Sequence, residues 1–326
     1  MRRILLIKTS SMGDIVHNLP VASDLRAAFP GCRIDWVVEN AFAAIPALHP
    51  AVGELLPVSL RRWRSRPFSA QTRREFGAFR RRLRSVRYDA VIDTQGLVKS
   101  ALIAWMAQGP THGFDWKSSR EPLRVFYEKV HAVPWTIHAV ERNRRLAADA
   151  LGYAVDAPPA YGIAASAAGA AALDATFVAA RAARFAVLLH ATSARNKEWP
   201  EDRWVQLGSA LAARGLASVL PFGNPAERQR SEQIAARIPG ALVPPAMGLD
   251  ALAALIARAR IVVGVDTGLS HLAVALGRPT IGLYCATDPA ATGLLGGAHV
   301  LNLGGIGGAP GAAQAIAAAL QLLEAA

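Results

Sequence analysis

Short runs of branched apolar residues alternate along this chain with longer stretches in which apolar residues recur every three or four positions. The unbroken runs predict buried strands at 3–8, 33–38, 52–57, 90–93 and 111–113, and again at 186–190, 217–222, 241–243, 261–265 and 280–284. Helical spacing predicts helices at 15–29, 41–48, 69–86 and 98–108, then at 203–214, 225–238, 249–258 and 269–276. A last amphipathic helix is expected at 312–324, after a glycine-rich run at 304–311 that reads as a flexible linker. Strands alternating with helices across short loops imply an α/β protein with parallel sheets covered on both faces. The rhythm runs twice, which predicts two Rossmann-like, doubly wound domains at 1–163 and 174–326. The alanine-rich stretch between them reads as the boundary. The final helix packs on its own domain or back on the first; the pattern leaves both open.

Two strand–turn–helix passages stand out. In the second half, the strand 261–265 meets the turn Asp266-Thr267-Gly268 and then a helix carrying His271. The first amides of such a helix are free, and its dipole is positive there, so an anion such as phosphate suits the spot. The first strand likewise runs into Thr9-Ser10-Ser11-Met12-Gly13-Asp14. Asp14 in that turn is either a helix cap or a general base for a hydroxyl. The loop after strand 186–190 carries Thr192, Ser193 and Lys197, which suit phosphate oxygens or form a plain exposed loop. Glu227 is a first-turn glutamate or an acceptor for ribose hydroxyls. His17 and His138 are weaker candidates than His271.

Composition adds a charge asymmetry. The net charge is +12 over 326 residues, and the first 160 hold 24 Lys and Arg against 14 Asp and Glu. Much of the excess lies between Arg61 and Arg87, with Arg61, Arg62, Arg64 and Arg66 around Trp63. Such a face is either solvated or draws an anionic partner: nucleic acid, lipid headgroups or an acidic glycan. An interleaved aromatic platform for nucleic acid is missing. Two cysteines, Cys32 and Cys285, have no disulfide or metal spacing, which fits a reducing cytoplasm. No apolar run has the length of a membrane span, and the N-terminal one is too short for a signal peptide. Walker, Gly-x-Gly-x-x-Gly, His-Glu-x-x-His and nucleophile-elbow motifs are absent.

Several segments together carry a family resemblance. Residues 8–14 (KTSSMGD), 190–192 (HAT), 197–200 (KEWP) and 266–271 (DTGLSH) resemble the lipopolysaccharide heptosyltransferases, inverting glycosyltransferases of GT-B fold. Residues 88–100 and 115–122 resemble the members that add the first heptose (type I). The chain departs from the pattern at Cys285-Ala286, where Gly-Pro is usual, and at Ser193, where a second threonine is common.

The resemblance implies two domains facing a central cleft, the first binding the acceptor and the second the nucleotide sugar. It implies transfer of L-glycero-D-manno-heptose from ADP-heptose to the first Kdo of Kdo2-lipid A, with no required cofactor or metal. Asp14 becomes the base. Thr192, Ser193 and Lys197 become phosphate contacts, Glu227 the ribose contact and Met247 the adenine contact. Asp266, Thr267, Gly268 and His271 line the diphosphate and sugar. Ser10, Gly13, Arg61, Arg62, Arg64, Lys99, Lys117 and Arg120 are the acceptor-side candidates. Lys197 is also a catalytic candidate, because it faces charge growing on the leaving diphosphate. ADP is a weak base, so one carboxylate suffices for a single inverting displacement, by analogy with inverting glycosidases. A later-acting heptosyltransferase and, less favoured, a nucleotide-sugar epimerase on the same fold are the alternatives. The implied place is the cytoplasm, peripheral to the anionic face of the inner membrane, with no nucleic-acid partner.

Overall fold

The computed structural model describes residues 3–177 and 184–325, and the chain divides into two compact units at Ile163/Ala164. In the first unit, β1 (Arg3–Ile7), β2 (Arg33–Glu39), β3 (Val52–Val58), β4 (Ala90–Asp93), β5 (Thr111–Phe114) and β6 (Lys129–His131) form one parallel sheet. Its strand order is β3-β2-β1-β4-β5-β6. The second unit holds β7 (Phe185–Leu189), β8 (Ala217–Val219), β9 (Ile261–Val265), β10 (Thr280–Tyr284) and β11 (Val300–Gly304), in the order β11-β10-β9-β7-β8. These strands are also parallel. The central strands β1, β4, β7, β9 and β10 are buried end to end apart from Arg3, as all-apolar runs covered on both faces require.

Several expected elements differ. The helix expected over 15–29 is two helices, Met12–Val16 and Leu19–Ala28. Pro20 explains the break: it lacks an N–H and its ring would strike the carbonyl one turn back, so it is tolerated only in a first turn. The stretch 41–48 is a 3-10 turn, Asn40–Phe42, followed by the short helix Ala44–Ala47. The strand expected at 241–243 reduces to a single bridge between Leu242 and Val219. β6 and β11 went unseen because edge strands need not be continuously apolar; Lys129 in β6 and the alternate residues of β11 are exposed. The helices Leu60–Ser65 and Ala139–Leu151 were also unassigned.

The alanine-rich boundary is a helix, Ala167–Thr176, capped by Ser166, whose Oγ accepts from the Gly169 amide at 2.9 Å. Alanine has the highest helix propensity, so low sequence complexity here signals order. The helix packs on Leu249–Arg258 so closely that a Cβ at Gly169 would stand 2.4 Å from the Asp250 carbonyl.

The glycine-rich run 304–311 is tied down as well. Gly305 and Gly308 bridge, and the Pro310 carbonyl accepts from Trp199 Nε1 at 2.7 Å and Arg203 Nη1 at 2.9 Å. The last helix, Ala312–Ala325, lies on the helix Glu201–Ala212 and on β9 and β10. Its Ala315, Ala319 and Leu322 join Trp204, Leu207 and Val263 in the core of its own unit.

Candidate active site

In each sheet the strand order reverses beside the first strand of the unit: between β1 and β4, and between β7 and β9. Loops leaving the carboxyl ends of parallel strands on either side of such a point diverge and leave a crevice. The loops after β1, β7 and β9 lie there, while Glu227 follows the edge strand β8.

In the first unit, the loop after β1 is held by the loop after β4. Gln95 Oε1 accepts from the amides of Thr9 at 3.0 Å and Ser10 at 3.1 Å. Gln95 is oriented by Asp93, whose Oδ1 accepts from its amide at 2.8 Å. Asp93 is fully buried and accepts from Tyr127 Oη at 2.7 Å; burial raises its pKa despite these bonds. Lys8 sits beneath the loop, donating to the Thr94 carbonyl at 2.8 Å and Asn143 Oδ1 at 3.4 Å. Burial lowers its pKa, and the nearby carboxylates of Asp14 and Asp93 oppose that.

Asp14 Oδ2 accepts from both the amide of Ser11, at 2.7 Å, and its hydroxyl, at 2.9 Å. The carboxylate therefore does cap the helix Met12–Val16, through one oxygen. Gly13 is the second residue of that helix. Lys99 donates to Ser10 Oγ at 2.9 Å, which brings two acceptor-side candidates together.

The remaining basic candidates separate. Arg62 is paired with Glu75 at 2.5 Å, and Glu75 also takes Trp63 Nε1 at 2.8 Å, so Arg62 braces the helix Leu60–Ser65. Arg61 and Arg64 have no ion pair among the described residues and line an open groove of about 770 Å³. Lys117 lies 5.3 Å from the Trp116 ring centre, and Arg120 lies 5.8 Å from that of Trp135. Sequence reasoning missed Arg142. Its guanidinium stacks 3.6 Å from the Trp135 centroid and 4.8 Å from that of Phe114, and it donates to the Ser118 carbonyl at 2.6 Å. Burial and the neighbouring Arg120 bring its pKa to about 10, so it stays cationic at neutral pH. His17 and His138 form an edge-on pair with centroids 5.6 Å apart, and His138 Nδ1 caps the helix Ala139–Leu151.

In the second unit two loops, after β7 and β10, converge on Asp266, which follows β9. Its Oδ2 pairs with Lys197 Nζ at 2.8 Å and accepts from Thr287 Oγ1 at 2.8 Å, while its carbonyl accepts from Thr192 Oγ1 at 3.0 Å. Thr287 belongs to the Thr-Asp-Pro that follows the Cys285-Ala286 departure, and sequence reasoning gave it no role. Thr267 is the extended residue before the helix Gly268–Ala275, and its side chain makes no capping bond to the helix's first amides. Ser270 Oγ binds back to the Val265 carbonyl at 2.8 Å, and a Cβ at Gly264 would lie 2.2 Å from that hydroxyl. Gly264, overlooked in favour of Gly268, is thus what lets the helix start sit on the strand. His271 is buried in the second turn and Ser193 is exposed.

Glu227 is engaged locally: its two oxygens take the Gly223 amide and Asn224 Nδ2, both at 2.7 Å. Met247, half-buried, precedes Gly248 at the cap of the helix Leu249–Arg258. Among the described residues no three His, Cys, Asp or Glu cluster as a metal site, and no helix is long and apolar enough to cross a membrane.

A profile of glycosyltransferase family 9 (heptosyltransferase) matches residues 76–310, which takes in the loop after β4 and the loops of the second unit but not the loop after β1. The chain belongs to that family. Lipopolysaccharide heptosyltransferase 1 of Escherichia coli K12 is 46% identical over 298 residues, 90% of each chain. The solved structure of E. coli heptosyltransferase WaaC with ADP superposes with a TM-score of 0.87 at 42% identity, covering 99% of both chains. The same enzyme with ADP-2-deoxy-2-fluoro heptose gives a TM-score of 0.82 at 41% identity. The two units of this family 9 enzyme are accordingly parallel-sheet α/β domains of the GT-B type, and the chain is an ADP-heptose-dependent glycosyltransferase.

Proposed function

We propose that this heptosyltransferase moves L-glycero-D-manno-heptose from ADP-heptose to the first Kdo of Kdo2-lipid A, with inversion, during synthesis of the lipopolysaccharide inner core. The observation that carries the reading is Asp14. Its carboxylate stands at the head of the β1 loop with both local bonds on Oδ2, which leaves Oδ1 to take a proton. A fixed carboxylate beside a loop of hydroxyls suits a base for an acceptor hydroxyl.

The donor belongs to the second unit, whose loops gather hydroxyls and a lysine around Asp266 beside a helix N-terminus; the E. coli relative was solved with ADP and with an ADP-sugar. Its diphosphate takes Thr192, Ser193 and Lys197 with the amides after Thr267, while Asp266, Gly268 and His271 shape the sugar site. Glu227 holds the ribose and the Met247 backbone the adenine. Negative charge grows on the diphosphate as the anomeric bond breaks, and Lys197 and the helix N-terminus answer it. Lys197 trades Asp266 for phosphate as donor arrives.

The acceptor belongs to the first unit. Ser10, Gly13 and Lys99 border the reacting sugar. Arg61, Arg64, Lys117 and Arg120, joined by Arg142, match Kdo carboxylates and lipid A phosphates, and Arg62 holds their helix in place. The same basic face draws the enzyme to the anionic cytoplasmic surface of the inner membrane, each cation adding about 1 kcal/mol near the surface.

The test is ADP release from ADP-heptose with and without Kdo2-lipid A stripped of its acyl chains. Acceptor-dependent release is expected. Release without acceptor would favour an epimerase or hydrolase, and turnover only with a heptosylated core would move the enzyme to a later step.

A further inference from the structure

The groove of about 770 Å³ in the first unit is apolar where an acceptor sugar site needs polar groups. Its floor is Trp63, 9% exposed, and Ile103, 2% exposed. Its walls are open: Trp105 is 66% exposed, Leu102 41% and Phe76 38%. Leu102 and Trp105 follow Val98 at spacings of four and three on the helix Val98–Met106, so they form one outward stripe. Phe76 comes from the basic helix Ala70–Arg84 and meets Trp63 edge-on at 5.8 Å. A contiguous exposed apolar surface of this kind marks a binding site.

Two features say what it binds. Its lining includes Ser10, on the loop that leads to Asp14, and Lys99, which donates to the Ser10 hydroxyl. Arg61 and Arg64, without carboxylate partners among the described residues, line it too and with Lys99 outnumber its one carboxylate, Glu39, which accepts from the Leu60 amide. A ligand that fits has a polar head near Ser10, anionic groups near the arginines and an apolar body. We infer that the groove seats a fatty-acyl chain of the acceptor glycolipid, with the phosphates flanking that chain held by Arg61 and Arg64. The inference rests on the proposed acceptor reading and adds to it the part of the acceptor remote from the reacting sugar. Each methylene buried there multiplies affinity about fourfold.

The test compares Kdo2-lipid A bearing its acyl chains, in mixed micelles, with the fully deacylated form. Both are assayed on the unaltered enzyme and on a Leu102→Asn, Trp105→Ala double variant, whose changes are at exposed positions that leave the floor of the groove in place. The KM for the acylated acceptor should rise about tenfold in the variant, with its KM for the deacylated acceptor and both kcat values unchanged. An equal rise for both acceptors, or none for either, overturns the inference. So does loss of sedimentation with acceptor-free phosphatidylglycerol vesicles in the variant alone, which would assign the stripe to the bulk bilayer. Failure of the unaltered enzyme to turn over either acceptor overturns the acceptor reading itself, and the groove assignment with it.

Discussion

In the second unit the one lysine among the loops, Lys197, is already bonded to a carboxylate, Asp266, which Thr287 also holds. In the first unit Arg62 is paired with Glu75, but four other cations are held by neutral groups. Lys99 leans on a serine hydroxyl, Lys117 and Arg120 lie over tryptophan rings, and Arg142 is stacked between Trp135 and Phe114. The same strand–turn–helix plan thus yields two electrostatic states. A cation stacked on a ring keeps its charge outward, since the ring quadrupole attracts without neutralising. A cation in an ion pair presents little net charge until a competing anion arrives. The first unit is built to attract at a distance, the second to recognise on contact.

The sharpest way to break this contrast is at Asp14. Asp14→Asn should lower kcat by about 10²- to 10⁴-fold while ADP binding, measured by calorimetry, stays unchanged. A loss of only about 1 kcal/mol in stability, with kcat within a few-fold, would leave Asp14 a cap. Next comes Lys197→Ala. It removes the lysine proposed to meet the diphosphate and leaves Asp266 without its ion-pair partner, so kcat/KM for ADP-heptose should fall about 10²-fold. An effect confined to acceptor KM would break the division of labour.

A smaller effect sharpens it. Raising salt from about 50 to 500 mM should lift acceptor KM about tenfold and donor KM less than about twofold, because only the unpaired cations act through screened solvent. Parallel rises would mean that both sites steer by charge.

The smallest effect is on acid stability. His190, at the end of β7, bonds Ser231 Oγ at 2.7 Å, and burial, with Arg230 nearby, lowers its pKa from 6.5 to about 4. The unfolded chain takes up a proton as pH falls through 6.5, and the fold does not until about 4. Stability is therefore full above 6.5 and declines by about 1.4 kcal/mol per pH unit in that window. His112 of the first unit, buried and stacked on His131, is likewise lowered to about 4. His190→Asn should remove the slope from the second unit's melting transition alone.

Much of this was legible in the residues. Buried parallel strands announce themselves as apolar runs, and the loop motifs at 8–14 and 266–271 fall where the sheets reverse. Local chemistry was harder to read, because partners distant in sequence decide it. Arg62 looks like Arg61 and Arg64 until Glu75 folds against it. Arg142 has no motif, and its role comes from Trp135 and Phe114. Composition misled at the glycines of 304–311, where hydrogen bonds impose order that composition does not display, and the alanine-rich stretch read as a boundary also holds the helix Ala167–Thr176. Pro20 itself marks the break, since it fits only the first turn of Leu19–Ala28.

The position of the helix Ala312–Ala325 also sets an order of events during synthesis. The first unit has all its described strands and the helix Ala139–Leu151 once residue 151 has emerged. The second lacks Ala315, Ala319 and Leu322, which share a core with Trp204 and Leu207, until residue 322 follows. Domains fold N-terminal first at about 5–20 residues per second of synthesis. The first unit therefore folds during synthesis, while the second waits for the helix Ala312–Ala325. A ribosome stalled before residue 312 would hold a folded first unit tethered to a second with Trp204 uncovered, the species on which a chaperone would act.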